Sequence, residues 1–152
     1  MPAQRVGVLA LQGGVREHAE ILLGLGASVS YIRTPKDLVG PDGLRVDALV
    51  LPGGESSTID RLLRIFELFE PLRDGIASGL PTLGTCAGLI LLANEVVDPA
   101  PGQGSLGVLD VAVQRNAFGS QVDSAEVSLD TTLGPATVAF IRAPAVTRVG
   151  EG

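Results

Sequence analysis

Apolar residues in this chain come in short, nearly unbroken runs separated by glycine-rich breaks, the pattern of strands buried on both faces. Arg5–Leu11 is one such run, Asp47–Leu51 is another, and Ser28–Arg33 alternates as a further strand. Val15, Ala19, Leu22 and Leu23 share one face of a helix predicted over Val15–Leu25, which Gly24 and Gly26 close. Thr34-Pro35 opens a short turn or helix. Pro52–Thr58 reads as a loop, and a helix is predicted from about Ile59, with Leu62, Leu63, Phe66 and Phe69 at helical spacing. Pro71 starts or bends a second piece that reaches Ser78. A strand then leads through Leu83-Gly84 to a helix-like run over Leu89–Glu95. This alternation predicts an α/β fold: a three-layer, mostly parallel, doubly wound sheet of flavodoxin-like type with helices on both faces.

The pattern changes after Val97. Asp98–Gly104 is a Pro/Gly-rich loop, and Leu106–Gln114, Ala125–Leu129 and Thr137–Ile141 alternate as strands of an antiparallel C-terminal extension, with a turn at Leu133-Gly134-Pro135. The chain stops at Val149–Gly152 with no closing helix or strand expected. At 152 residues it is long enough for a single domain with a proper core, here expected to be incomplete at its C-terminus.

Composition narrows the function classes. Hydrophobic residues make up 45% and charged residues 18%, with 20 glycines, which suits a small-residue-rich α/β protein and argues against disorder. A net charge of −6 speaks against nucleic acid or an anionic membrane as partner, and 3% aromatics leave no platform for stacking bases. A single cysteine excludes an internal disulfide framework and fits a reducing compartment. Gln4 and Arg5 lead straight into a strand, so no signal peptide is expected. No apolar run approaches the roughly 20 residues that span a bilayer. The expected setting is cytoplasmic.

That one cysteine, Cys86, sits in Gly84-Thr85-Cys86-Ala87-Gly88, between a predicted strand and a predicted helix. This is the context of a nucleophile elbow, usually written for serine as G-x-S-x-G. Glycines two positions either side let the backbone fold tightly, exposing the sulfur above the sheet and setting the Ala87 N–H at the start of the next helix. A cysteine nucleophile also needs a base, usually histidine held by a carboxylate or amide. The chain has one histidine, His18, in the first predicted helix beside Arg16 and Glu17, where a helix-surface or interface role is expected. Nothing resembling a base follows Cys86, so the chain as given is expected to be nearly inactive alone.

In an open parallel sheet, ligands sit beyond the carboxyl ends of the strands. The turns after Leu51 and after Leu83 should therefore face one crevice. Gly53-Gly54-Glu55-Ser56 offers backbone N–H groups, a carboxylate and a hydroxyl there. An N–H of this loop, taken at Gly54, and that of Ala87 could form a two-donor oxyanion hole over Cys86. The plainer alternative is a tight turn in which Ser57 or Thr58 caps the following helix.

Six segments occur in order: Leu11-Gln12-Gly13, Val15–His18, Leu51–Thr58, Gly84–Leu89, Gln114-Arg115-Asn116-Ala117-Phe118-Gly119 and Phe140-Ile141-Arg142-Ala143-Pro144. Together they resemble the glutaminase subunits of pyridoxal phosphate synthase complexes, which are class I, triad-type glutamine amidotransferases. The Cys86 elbow alone is common to that whole class. The Gly-Gly-Glu-Ser loop with Arg-Asn-x-Phe-Gly and Ile-Arg-Ala-Pro is far more specific.

The resemblance implies hydrolysis of L-glutamine to L-glutamate and ammonia through a Cys86 γ-glutamyl thioester. It carries glutamine binding to Gly54, Glu55, Ser56, Arg115, Ile141 and Arg142. The chemistry agrees in kind, since a zwitterionic amino acid needs a guanidinium for its carboxylate and an acceptor for its ammonium. Arg115 or Arg142 can supply the first, and Glu55 or the Ile141 carbonyl the second. The implied partner is the synthase subunit, a TIM-barrel ring that receives the ammonia. Pyridoxal phosphate is that partner's product, so no cofactor and no metal is expected here. Family members carry a further strand pair and a His-x-Glu pair that completes the triad, which this sequence lacks. A silent glutamine-binding or scaffolding subunit, or a cysteine hydrolase of the wider superfamily, stays open as an alternative.

Overall fold

The computed structural model describes residues 2–117 and 125–151. Phe118 and Gly119, which end one of the quoted segments, lie outside the described residues.

The N-terminal half is a parallel sheet of β1 (Arg5–Leu9), β2 (Ser28–Ile32), β5 (Ala48–Leu51) and β6 (Thr82–Gly84), in the order β2-β1-β5-β6. Its period-2 pattern sorts the side chains into two layers. Val6, Val8 and Val50 pack on one face with Val15 and Leu22 of α1 (Val15–Gly24). Leu9, Leu49 and Leu51 face the other way and form the main core with Ile59, Leu63, Leu72 and Leu91. Those last four come from α3 (Ser56–Ile65), α4 (Phe69–Ala77) and α5 (Ala87–Leu92). Between β2 and β5 the chain makes α2 (Pro35–Leu38) and a small ladder of β3 (Val39–Gly40) and β4 (Gly43–Leu44). The predicted three-layer, doubly wound arrangement is the one observed.

Three boundaries differ, each for a local reason. The helix expected from Ile59 starts at Ser56, because Glu55 rather than Ser57 or Thr58 is its N-cap. Pro71 falls in the first turn of α4, where its missing N–H costs nothing. The run expected to stay helical to Glu95 leaves the helix after Leu92. Ala93 is extended (φ −62°, ψ 146°), and Ala93–Val97 becomes β7. The pull is tertiary: β7 pairs in parallel with β8 (Leu109–Gln114), while the N–H groups of Leu106 and Val108 bond the carbonyls of Leu91 and Leu92.

The C-terminal part is mixed rather than purely antiparallel. One sheet has the order β11-β8-β7, with β8 parallel to β7 and antiparallel to β11 (Ala145–Val149). The chain therefore does reach a final strand where none was expected. β9 (Ala125–Thr131) and β10 (Gly134–Phe140) form a separate hairpin, and Gly134 (φ 108°) already belongs to β10 instead of the turn. Among the described residues no helix is long and apolar enough to cross a membrane.

Leu63, fully buried against the sheet, anchors α3 and hence the loop before it. Leu63→Ala is expected to lower unfolding stability by about 2–5 kcal/mol. Urea denaturation measures this, and an unchanged midpoint would contradict the packing described.

Candidate active site

All four strands of the main sheet are parallel, so their carboxyl ends lie on one side, and the order reverses between β1 and β5. A crevice is expected at that switch point. Three loops meet there. The Gly14 N–H donates to the Gly53 carbonyl (2.9 Å), the Glu55 N–H to Gln12 Oε1 (2.9 Å), and the Thr85 N–H to the Leu51 carbonyl (3.1 Å).

Cys86 stands between β6 and α5 with φ 51° and ψ −108°. A positive φ on a non-glycine residue is strained, by about 1–3 kcal/mol, and survives only where the surroundings impose it. The flanking glycines show what imposes it. A Cβ on Gly88 would lie 2.0 Å from the Leu51 carbonyl oxygen, and one on Gly84 would lie 2.7 Å from the Gly88 carbonyl. Both glycines are needed for close approach, and the elbow conformation itself falls on the cysteine. Gly53 lies beside the elbow at a looser distance, since a Cβ there would meet Cys86 Cβ at 3.4 Å, close to ordinary van der Waals contact.

Opposite the elbow, the second sheet supplies charge. In the β8–β11 ladder Gln114 faces Ala145, so the residues just beyond each strand end are neighbours. The Ala117 N–H, donating to the Ala143 carbonyl (3.1 Å), ties the two segments together. Arg115, Ile141 and Arg142 thereby reach the same cleft. Its volume is about 430 Å³, and it is lined by Gly54, Glu55, Ser56, Cys86, Arg115, Ile141 and Arg142, seven of the eight residues singled out from the sequence. Ala87, the eighth, is buried and contributes the first N–H of α5 beside the sulfur's own residue. Gln12, Ile90 and Asn116 line the cleft as well. Gln12 and Asn116 lie inside the quoted segments, but nothing in their spacing marks them as lining residues.

Glu55 is the N-cap of α3. Its carboxylate accepts the N–H groups of Ser57 (3.2 Å) and Thr58 (2.7 Å), both their hydroxyls, and Arg115 Nη2 at 3.3 Å. Its oxygens are thus engaged by partners within the protein. His18, expected on a helix surface or at an interface, is half-buried, with Nε2 3.0 Å from Thr85 Oγ1. It braces the residue before Cys86, and only the fold reveals that contact across 67 positions.

This is the fold of class I glutamine amidotransferases. The sequence model of the SNO glutamine amidotransferase family matches residues 8–152, and the chain belongs to that family. It is 56% identical to the pyridoxal 5'-phosphate synthase subunit PdxT of Parafrankia sp. (strain EAN1pec), across 100% of this chain and 74% of that protein. It is 55% identical to the PdxT of Cutibacterium acnes (strain DSM 16379 / KPA171202), across 99% of this chain and 73% of that protein. The crystal structure of a glutamine amidotransferase superposes with a TM-score of 0.86 at 47% identity, covering 97% of this chain and 76% of that one.

Partial burial pushes the Glu55 carboxyl up, but the hydroxyls of Ser57 and Thr58 and then their backbone N–H groups outweigh it and hold it at about 2, against an ordinary 4.5. The folded value is depressed, so the cap's contribution is complete above the ordinary value and fades as pH falls towards 2. Glu55→Gln is expected to destabilise the protein at neutral pH by about 0.5–2 kcal/mol and to flatten the stability loss between pH 4.5 and 2. Chemical denaturation across that range measures both, and parallel curves for the two proteins would contradict the cap assignment.

Proposed function

We propose that this chain is the glutaminase subunit of a pyridoxal 5'-phosphate synthase, hydrolysing L-glutamine to L-glutamate and ammonia for vitamin B6 biosynthesis. The single observation that carries this reading is the strained Cys86 elbow facing an arginine-lined cleft, in a chain of this family.

In this reading Arg115 takes the glutamine α-carboxylate. Its side chain is only 15% exposed and is held at Nη1 by Gln103 and at Nη2 by Glu55, so among the described residues three guanidinium N–H groups are left to donate to a ligand. Arg142, exposed and with φ 47°, closes the outer wall, and the Ile141 carbonyl accepts the ammonium. The side-chain amide then extends towards Cys86.

The Cys86 thiolate attacks the amide carbon, forming the S–C bond as the carbonyl electrons move to oxygen. The N–H groups of Ala87 and Gly54 receive that oxyanion. The Gly53 carbonyl is held by Gly14, and because the peptide is planar the Gly54 N–H points the opposite way. Collapse of the tetrahedral species breaks the C–N bond and, with a proton delivered to nitrogen, releases ammonia. Water then hydrolyses the γ-glutamyl thioester to glutamate and the free thiol. The base that takes and returns protons is, by the resemblance, the His of a His-x-Glu pair, because His18 is turned to Thr85.

Ammonia in bulk water at neutral pH is mostly protonated and no longer nucleophilic. Delivery into a sheltered path therefore fits a synthase partner, a TIM-barrel ring in this reading, and a nucleophilic thiol that has to stay reduced to act fits a cytoplasmic setting.

With the natural full-length subunit assayed alongside its synthase partner, Cys86→Ser is expected to cut glutamate release by about 10³-fold or more. Arg115→Ala should raise the glutamine KM by about 10–100-fold. Wild-type protein that binds glutamine without turnover would point instead to a silent glutamine-binding subunit.

A further inference from the structure

Gln103 lies on the loop after β7, at no position that sequence spacing or the elbow points to. The loop is pinned to α3 through Asp60, which is 2% exposed and accepts the Gly104 N–H at 3.0 Å and Arg64 Nη2 at 3.1 Å. Within the turn the Gln103 N–H donates to the Ala100 carbonyl (2.9 Å), and the side chain folds back so that its Oε1 accepts the Ala100 N–H at 3.0 Å. The same oxygen accepts Arg115 Nη1 at 2.9 Å, while Nε2 donates to Ser56 Oγ at 2.9 Å.

These partners fix the amide's orientation. A backbone N–H and a guanidinium only donate, so both must meet the oxygen, and the NH₂ group has to face Ser56. Ser56, 3% exposed and on the cleft wall, is thereby made an acceptor towards Gln103, so its own O–H must turn elsewhere, and the cleft it lines is open to it. One side chain thus sets the position of the arginine and the polarity of the hydroxyl beside it.

We propose that Gln103 is a positioning residue for substrate binding: it holds Arg115 and Ser56 as paired donors to the α-carboxylate of the amino-acid substrate. The inference rests on the glutaminase reading. It assigns Gln103 no contact with the reacting atoms, so its effect falls on KM rather than on kcat.

The test uses the natural full-length subunit with its synthase partner, measuring glutamine KM and kcat for Gln103→Ala, Gln103→Glu, Ser56→Ala and the double variant Gln103→Ala/Ser56→Ala. Gln103→Glu keeps acceptors for Ala100 and Arg115 but has no donor for Ser56, so it decides the matter should Gln103→Ala fail to fold. Each single variant is expected to raise KM about tenfold or more. The double variant should be little worse than Gln103→Ala alone, because losing Gln103 already removes what orients Ser56. A KM within about twofold of wild type for Gln103→Glu, a loss confined to kcat, or effects that multiply in the double variant would overturn the proposal. Absence of glutamine turnover by the wild-type complex would instead overturn the glutaminase reading beneath it.

Discussion

The closeness of α5 to β5 is the constraint on which the rest of the site depends. Gly88 lies so near the Leu51 carbonyl that no side chain fits between them, and Gly84 is also too close to the Gly88 carbonyl to carry one. With helix and strand pressed together, the connecting turn must be sharp, and Cys86 absorbs the sharpness in its left-handed backbone conformation. The strain is offset by burial of Ala87, Ile90, Leu91 and Leu92, which pack α5 into the core. The sulfur is therefore placed by hydrophobic packing and backbone contact, at the sheet's carboxyl edge beside the switch point.

The second sheet completes what the first cannot provide. A parallel sheet edge with glycine loops offers backbone donors, but it brings no cation to hold a substrate carboxylate. The register of β8 against β11 delivers Arg115 and the Ile141-Arg142 pair to the same opening, with β9 and β10 as an excursion between them. Glu55 links the two halves, because its carboxylate caps α3 and also receives Arg115. One acidic residue accordingly sets the start of a helix and shares with Gln103 in holding the arginine.

Much of this was legible in the sequence. The Gly-x-Cys-x-Gly turn between apolar runs carries its own geometry, and strand alternation with intervening helices defines the parallel sheet. Local pattern failed where tertiary pairing decides the outcome. Ala93-Asn94-Glu95 continues a helical pattern but is drawn into β7 by β8, and Ala145–Val149 becomes a strand only because β8 offers an edge. His18 and Gln103 share this character, since contacts across 67 and 47 positions leave no periodic trace. The capping role of Glu55 was not read from the sequence, where Ser57 or Thr58 was the expected cap, yet its carboxylate accepts both their backbone N–H groups.

The central claim is that Cys86 forms a covalent intermediate with glutamine. Acid-quenching the natural full-length subunit and its synthase partner during turnover, then mapping peptides by mass spectrometry, tests it most directly. The account predicts a γ-glutamyl adduct on the Cys86 peptide that vanishes when glutamine is omitted. Steady glutamate release with an unmodified Cys86 peptide throughout, or with the adduct on another residue, would contradict it.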